Sequence, residues 1–357
     1  MGISGLLPLL RPVTRDSHLS DLKGKVVGVD MYSWIHKGVY SCSKELCLGE
    51  PTDKYITYCL KRVGLLRDYS VQPYLVFDGG YLPAKKKKEL ERRLSREKSK
   101  REGIQHHRES RSKDAHAAFA KAVEVTPFMA YRVMQAVKQH FNGMVVAPYE
   151  ADAQLGFLAT RGIIDAVITE DSDMMLFGCP RVSSLWPSCF SLHACSLTPS
   201  AISSPLLRND ELDMRGLGVA ELRLVCVLSG CDYVPSVPGI ALKKALGHLK
   251  SNKFDLNRAI RDIKRETKGA LPEGYEYMKD YSDDVERAIL TWQHQRVFDV
   301  TAREVVHLTP IGESFEAKLQ MKRLTGAETP FVGAPMEQEH ACAVADGLVD
   351  PITGDIF

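Results

Sequence analysis

Residues 143–173 run GMVVAPYEADAQLGFLATRGIIDAVITEDSD. Two short apolar runs, 143–147 and 165–169, enclose a helical stretch. Each is followed by acid: Glu150 and Asp152 after the first, Asp171 and Asp173 after the second. Towards the N-terminus the arrangement occurs twice more, with Asp30 after residues 25–29 (KVVGV) and Asp78 after residues 73–77 (PYLVF). Short apolar runs without polar alternation mark strands buried on both faces of a parallel sheet. The helical stretches between them predict an α/β fold with a doubly wound, mostly parallel sheet. In an open sheet of that kind the carboxyl ends of the strands share one edge, where ligands bind. Six acidic side chains then converge there.

A single Asp after a strand is usually a turn former or a helix N-cap, and any one of these residues has that reading. Four strands ending the same way favour a joint role. Converging carboxylates repel each other unless something neutralises them, and the motifs contain no basic residues. Bound cations answer this, and oxygen-only ligands select Mg²⁺ or Mn²⁺ over zinc. Two such ions about 4 Å apart would activate water and stabilise the leaving oxygen of a phosphodiester. No GxxxxGK[ST] or GxGxxG follows a strand, and no nucleophile elbow is present, which disfavours nucleoside triphosphates, dinucleotides and Ser-His-Asp chemistry.

The 357-residue chain is 44% hydrophobic and 26% charged, with 26 Gly and 18 Pro. These proportions exclude collagen-like, coiled-coil and largely disordered chains. No apolar run nears the ~20 residues of a membrane span, so no membrane partner is expected. The first residues lack the basic region of a secretory signal, and Leu6 stands where N-myristoylation wants Ser or Thr. Nine cysteines without a CxxC pair point to free thiols in a reducing compartment and offer no zinc set. The net charge of +2 hides an uneven distribution. Residues 85–113 hold thirteen Lys or Arg and five Glu, a local +8, which leaves −6 for the rest. That contrast suggests a polyanion held near an acidic centre. The window favours helix formers but has almost no apolar stripe. One reading is a solvated helix laced with pairs such as Glu89–Arg93. The other is an exposed helix that grips phosphates over a cleft. The run Lys85-Lys86-Lys87-Lys88 also resembles a nuclear import signal, a weak indication of a nuclear protein.

Thr126 and Pro127 open a helix with Met129, Val133, Met134, Val137 and Phe141 on one face. Residues 183–207 contain no Lys, Arg, Asp or Glu and show no period. They read as a surface loop, or as sequence foreign to the mature protein. Residues 213–228 return to a helical pattern. Pro235, Pro238 and Gly239 mark a tight turn before another helix near Leu242. From Thr309 onward, scattered Gly and Pro predict a loosely ordered tail.

Met1-Gly2-Ile3, Val29-Asp30, Val76-Phe77-Asp78-Gly79, Ala147-Pro148-Tyr149-Glu150-Ala151-Asp152-Ala153-Gln154, Thr169-Glu170-Asp171-Ser172-Asp173 and Ser229-Gly230-Cys231-Asp232-Tyr233 occur in that order. Together they resemble the structure-specific 5′ nucleases, the flap endonuclease superfamily, over residues 1–182 and 210–305. Asp152 in Glu-Ala-Asp-Ala-Gln, where flap endonucleases usually carry Glu, is similar to the exonuclease branch, as are residues 34–38 (WIHKG) and 49–53 (GEPTD). The tail lacks the sliding-clamp box of the flap endonuclease kind.

The resemblance implies that Asp30, Asp78, Glu150, Asp152, Asp171, Asp173 and Asp232 are metal-site carboxylates for two Mg²⁺, with Mn²⁺ as a substitute. Asp232 lies beyond the strand argument, at a helix end. Lys85 and Arg92 match the residues that reach from a helical arch to the scissile phosphate. Lys86, Arg93 and Arg96 would grip the 5′ strand with them. Tyr32 and His36 match positions that stack on or steer the nucleotide beside the cut; alone, His36 reads as an ordinary surface histidine. Gly2 is expected near the active site. Residues 229–245 resemble the family's helix–turn–helix, which holds the uncut duplex through phosphates rather than bases. Ser229, Ser236 and Ile240 would bind K⁺ there, with Gly239 and Lys243 also contacting DNA. The family's Gly-Ile-Gly reads Gly239-Ile240-Ala241 here, and Pro238 replaces a common basic residue, so a weaker duplex grip is expected.

On this reading the chain divides into residues 1–83, the first part of the nuclease core; 84–125, a basic helical arch; 126–232, the internal part of the core, with 183–207 as an atypical insert; 229–305, the helix–turn–helix region and later helices; and 306–357, the tail. The insert replaces the family's hydrophilic β-hairpin, by lineage divergence or by a retained intron. The activity implied is a Mg²⁺-dependent 5′→3′ double-stranded DNA exonuclease with 5′ flap endonuclease activity, acting in DNA repair in the nucleus. Its substrates would be duplex ends, nicks, gaps and 5′ flaps, and a monomer is expected. Without the family's long tail, contacts with mismatch-repair partners are not expected of this stretch. The alternatives are a flap endonuclease or junction-resolving nuclease of the same superfamily, and a catalytically silent DNA-binding product whose altered hairpin breaks the sheet.

Overall fold

The computed structural model describes residues 3–10, 14–139, 141, 143–169, 171–183, 203–208, 217–312 and 330–357. In chain order the elements begin with α1 (Leu6–Leu10), β1 (Thr14–His18), β2 (Val26–Asp30), α2 (Met31–Tyr40), α3 (Ser43–Leu48), α4 (Lys54–Asp68) and β3 (Gln72–Phe77). A single turn of 3-10 helix, Pro83–Lys85, leads into α5 (Lys86–Arg108), then α6 (Ser112–Ala122), α7 (Pro127–Lys138), β4 (Met144–Val146), α8 (Ala151–Thr160) and β5 (Ala166–Ile168). A 3-10 segment, Ser172–Phe177, precedes β6 (Arg181–Ser183) and β7 (Ser203–Arg208). The remainder is α9 (Val219–Leu228), α10 (Leu242–Ser251), α11 (Leu256–Glu266), α12 (Met278–His294), β8 (Arg296–Asp299), β9 (Glu304–His307) and α13 (Gln338–Ala345).

The four expected strands, β5-β2-β3-β4, are neighbours in one seven-stranded sheet, ordered β1-β7-β6-β5-β2-β3-β4, with β4 at its edge. β6, β5, β2, β3 and β4 run parallel. Alternate residues of the central strands enter different cores: Val27, Val29, Leu75 and Phe77 pack with α2, α4 and α7, while Val76 and Val167 pack with α8 to α12. That is the doubly wound arrangement. Asp165 locks the register of β2 against β5 by accepting from the Val26 N–H at 2.9 Å and from Lys25 at 3.1 Å. Buried Gln154 ties α8 to β8, donating to the Phe298 carbonyl and accepting from its N–H, both at 2.7 Å. Thr126 caps α7 by accepting from the Met129 N–H at 3.3 Å, and Met129, Val133, Met134 and Val137 are buried as their spacing predicts.

Three expectations change. First, the hairpin region is not simply replaced: β7 pairs antiparallel with β6 and carries β1 on its other edge, so both ends of the altered stretch enter the sheet. Residues 184–202 lie outside the described residues. Second, residues 330–357 are packed rather than loosely ordered. Phe331, Val332, Ala341 and Val344 are buried, Val349 bridges to Ile356, and Phe357 stacks on Tyr131 with ring centroids 4.4 Å apart. Third, Glu89 pairs with Arg92 at 2.6 Å rather than with Arg93, which takes Glu97 at 3.2 Å. The described cysteines are free thiols, and among the described residues no helix is long and apolar enough to cross a membrane.

Candidate active site

Asp30 ends β2 and caps α2, accepting from the Ser33 N–H at 3.2 Å. Asp78 follows β3 and accepts from the Ala151 N–H at 2.7 Å. Glu150 precedes α8, with Asp152 in that helix's first turn. Asp171 caps the Ser172–Phe177 segment by accepting from the Asp173 N–H at 3.0 Å, and Asp173 accepts from the Ile3 N–H at 3.0 Å. Capping and convergence are therefore both present. The loops are pressed together: the Gly79 N–H donates to the Tyr149 carbonyl at 2.6 Å, and a Cβ on Gly79 would lie 1.9 Å from the Ala147 carbonyl oxygen. Only glycine lets the Asp78 and Glu150 loops approach this closely.

The electrostatics report the same meeting. Burial pushes the Asp30 carboxyl up to about 6, with the Asp171 charge adding to it. Asp78 rises to about 7 through burial and then Asp30, and Asp173 to about 7 through burial and then Asp171. Asp152 is also raised, by burial and by Asp171, Asp30 and Glu150, and its buried Oδ1 has no hydrogen-bond partner. Six carboxylates from four strand ends thus share one field.

Asp232, four residues beyond α9, joins them through two cations. Arg92 meets it at 2.7 Å and Lys85 at 3.5 Å. Burial pushes the Asp232 carboxyl up, but the charges of Lys85 and Arg92 outweigh it and hold the group below its usual value. Lys85 also pairs with Glu150, and its ammonium lies 5.4 Å from the centre of the Tyr233 ring. The Tyr233 hydroxyl donates to Glu150 at 2.8 Å. The strand pattern marks neither Tyr233, whose sequence signal is its place beside Asp232, nor Glu89, which holds the other side of Arg92.

Tyr32 lies in the first turn of α2, where burial and then the charges of Asp78 and Asp350 push its hydroxyl well up. His36, one turn on, is surrounded closely enough that desolvation, then Arg96 and Arg92, lower its pKa. Lys86 and Arg93 are exposed on α5, while Arg96 is half-buried and pairs with Glu124 at 2.7 Å. Gly2 lies outside the described residues. Near the turn after α9, the Ser229 hydroxyl donates to the Cys226 carbonyl at 2.9 Å, and Gly230 at φ +90 leaves a Cβ only 2.8 Å from the Ser236 nitrogen. Gly239 has φ +83, and Ile240 is buried. Ala241 sits at φ −94, ψ 174, so alanine is unstrained there. Lys243 is exposed in the first turn of α10.

The donor set fits a hard divalent ion: it is all oxygen, half-buried, mutually repulsive, and includes the buried Asp152 Oδ1, which has no hydrogen-bond partner. As the side chains stand, the described residues contain no ready group of three or more His, Cys, Asp or Glu for a metal. An ion must therefore draw the carboxylates together against the pull of Lys85 on Glu150 and Asp232. Because Asp30, Asp78 and Asp173 hold protons more tightly folded than unfolded, the metal-free protein loses their contribution as pH rises from about 4 to about 7. Ion binding requires the ionised forms and gains over the same interval. The rise in melting temperature on replacing EDTA by Mg²⁺ should thus be larger near pH 8 than near pH 5.5. Equal rises would place ion binding elsewhere.

Two family matches coincide with these elements. The XPG N-terminal domain matches residues 1–100 and the XPG I-region residues 143–232. The chain is 40% identical over 354 residues to Exonuclease 1 of Arabidopsis thaliana, covering 99% of this chain and 45% of that protein. It is 31% identical to the DNA damage-inducible protein DIN7 of Saccharomyces cerevisiae, covering 87% and 70%. Among solved structures, the catalytic core of Rad2 in complex with DNA substrate superposes with a TM-score of 0.57 at 19% identity, covering 92% of this chain and 97% of that one, a likeness of fold. The chain spans about half the length of Exonuclease 1.

Proposed function

Since this chain belongs to the 5′ nuclease superfamily that carries the XPG N-terminal domain and the XPG I-region, we propose that it is a Mg²⁺-dependent DNase. It removes nucleotides 5′→3′ from duplex ends, nicks and gaps, and cuts 5′ flaps. The observation that carries this is the mutual electrostatic coupling of the strand-end carboxylates, with two cations from the start of one long basic helix beside them, Lys85 on Glu150 and Asp232 and Arg92 on Asp232. Asp30, Asp78, Glu150, Asp152, Asp171, Asp173 and Asp232 would hold two Mg²⁺. When bound, the ions supply Lewis-acid neutralisation of the phosphate and a more acidic attacking water.

The chain's own groups fix the rest. N–H groups of Ser33, Ala151 and Ile3 orient Asp30, Asp78 and Asp173, and the Tyr233 hydroxyl orients Glu150. Lys85 and Arg92 neutralise charge developing on the scissile phosphate. Tyr32 and His36 steer the nucleotide beside the cut. Residues 84–125 serve as the arch, with Lys86, Arg93 and Arg96 along the 5′ strand. The turn at residues 229–241, with a K⁺ held by Ser229, Ser236 and Ile240, takes the uncut duplex through phosphates. A monomer acting in nuclear DNA repair completes the reading.

The test compares a nicked duplex, a 5′ flap and a four-way junction in Mg²⁺ and in EDTA. Degradation of the nicked duplex from its 5′ end, lost in EDTA, is expected. Dominant junction cutting would favour a resolving nuclease, and degradation indifferent to EDTA would overturn the metal assignment.

A further inference from the structure

Residues 242–268, which include α10 and α11, hold nine Lys or Arg and three acids, a net +6. Together with the +8 of residues 85–113, they leave −12 for the rest of the chain. The three acids are engaged locally. Asp255 caps α11, accepting from the Arg258 N–H at 2.9 Å. Asp262 accepts from Asn252 at 2.7 Å and from Arg265 at 2.6 Å. Glu266 takes Lys244 at 2.8 Å and His248 at 2.7 Å. Helical spacing explains what remains. Ala259, Ile260 and Ile263 face the core, and Asp262 and Glu266 face α10. Arg261 and Lys264, at i and i+3, share the other flank, and Lys268 follows two residues past the helix end; all three are exposed and in no ion pair among the described residues.

Backbone conformation adds a second observation. Lys253 and Lys268, each just past a helix end, have φ of +54 and +53. Glycine takes such angles without the roughly 1–2 kcal/mol that a side chain costs. A cation does offset the helix dipole there, yet lysine at both positions also keeps positive charge in this basic stretch.

Placement ties the flank to the proposed site. The pairing of Glu266 with Lys244 and His248 sets the end of α11 beside the start of α10, level with the turn at 229–241. Five residues past Lys268, the Glu273 carbonyl accepts from Lys87 at 3.5 Å, at the foot of α5. Lys268 therefore lies in the chain between the end of α11, beside the start of α10, and the contact with the basic helix.

We propose that Arg261, Lys264 and Lys268 form a second phosphate grip that engages duplex DNA beyond the cleavage site. It rests on the nuclease reading for its ligand. The contacts would be electrostatic and indifferent to sequence. The test is the triple variant Arg261→Gln, Lys264→Gln, Lys268→Gln, assayed by binding in EDTA across a salt series. The probes are duplexes of about ten and about thirty base pairs. Each lost phosphate contact removes about 0.9 from the salt slope, so the slope on the longer duplex should fall by about 2.7, with affinity at least roughly tenfold weaker. Binding and Mg²⁺-dependent cleavage of the shorter one should match the parent. An unchanged slope on the longer duplex, or equal weakening on both, would overturn the proposal. The binding arm decides it even if the parent does not cleave, which would instead defeat the nuclease reading.

Discussion

Asp173→Asn should abolish cleavage of nicked DNA, by more than about 10³-fold or roughly 4 kcal/mol of activation free energy, while DNA binding persists. Asparagine keeps an acceptor for the Ile3 N–H, and the Asp171 cap uses the Asp173 backbone N–H, so local structure survives. What goes is one ionised oxygen ligand. The same change carries a second expectation of opposite sign. Burial and Asp171 raise the Asp173 carboxyl to about 7, so near pH 8 an ionised Asp173 burdens the metal-free fold. Removing it should raise the melting temperature in EDTA and shrink the increment given by Mg²⁺, the trade of activity against stability found at strained sites. Asp171→Ala should also lose cleavage but pay about 1 kcal/mol for its lost cap. Normal turnover by either variant would end the metal-site assignment.

How much of this was legible depends on where physics leaves a local trace. The central strands announced themselves because Val27, Val29, Leu75, Phe77 and Val167 are buried between two helical layers, and a strand buried on both faces must be apolar throughout. β1, with the sequence TRDSH, carries no such pattern; it is a strand because β7 offers it an edge. Asp232 and Tyr233 sit on no strand, so the strand pattern is silent on both; the motif resemblance marks Asp232, and contact with Lys85 and Glu150 shows how each joins the cluster. Glu89 faces Arg92 rather than Arg93 because Arg92 is already drawn toward Asp232 on the buried side of α5. The C-terminal stretch looked loose because Gly and Pro interrupt every apolar run. Tertiary contact overrides that: Gly347 and Val349 pack against α7 and β4, and a Cβ on Gly80 would lie 3.0 Å from the Pro351 carbonyl oxygen, so these residues brace the Asp78 loop.

Lys85→Ala should separate two roles of one side chain. Its ammonium is paired with Glu150 and Asp232, and those charges raise its own pKa despite the opposing effect of burial. Lys85 in turn lowers the pKa of Asp78, Asp152 and Asp173. Without a metal it is therefore the counter-ion of the cluster. Removing it leaves Glu150, among the described residues, with the Tyr233 hydroxyl as its remaining hydrogen-bond partner, and breaking a largely desolvated pair by deleting one member is destabilising. The melting temperature in EDTA should fall, and Mg²⁺ should recover most of the loss. Divalent affinity without DNA should rise several-fold near pH 8, where the carboxylates are ionised, because the ion no longer competes with an ammonium. Toward pH 6 that gain should vanish, since the carboxyls, freed from Lys85, hold their protons more tightly. Cleavage should move the other way: the single-turnover rate at saturating Mg²⁺ should drop by more than about tenfold, through loss of a donor to the developing phosphate charge. Mn²⁺ titration followed by electron paramagnetic resonance, beside single-turnover kinetics, reads both. Unchanged Mn²⁺ affinity would refute the counter-ion role, and an unchanged rate would remove Lys85 from the scissile phosphate.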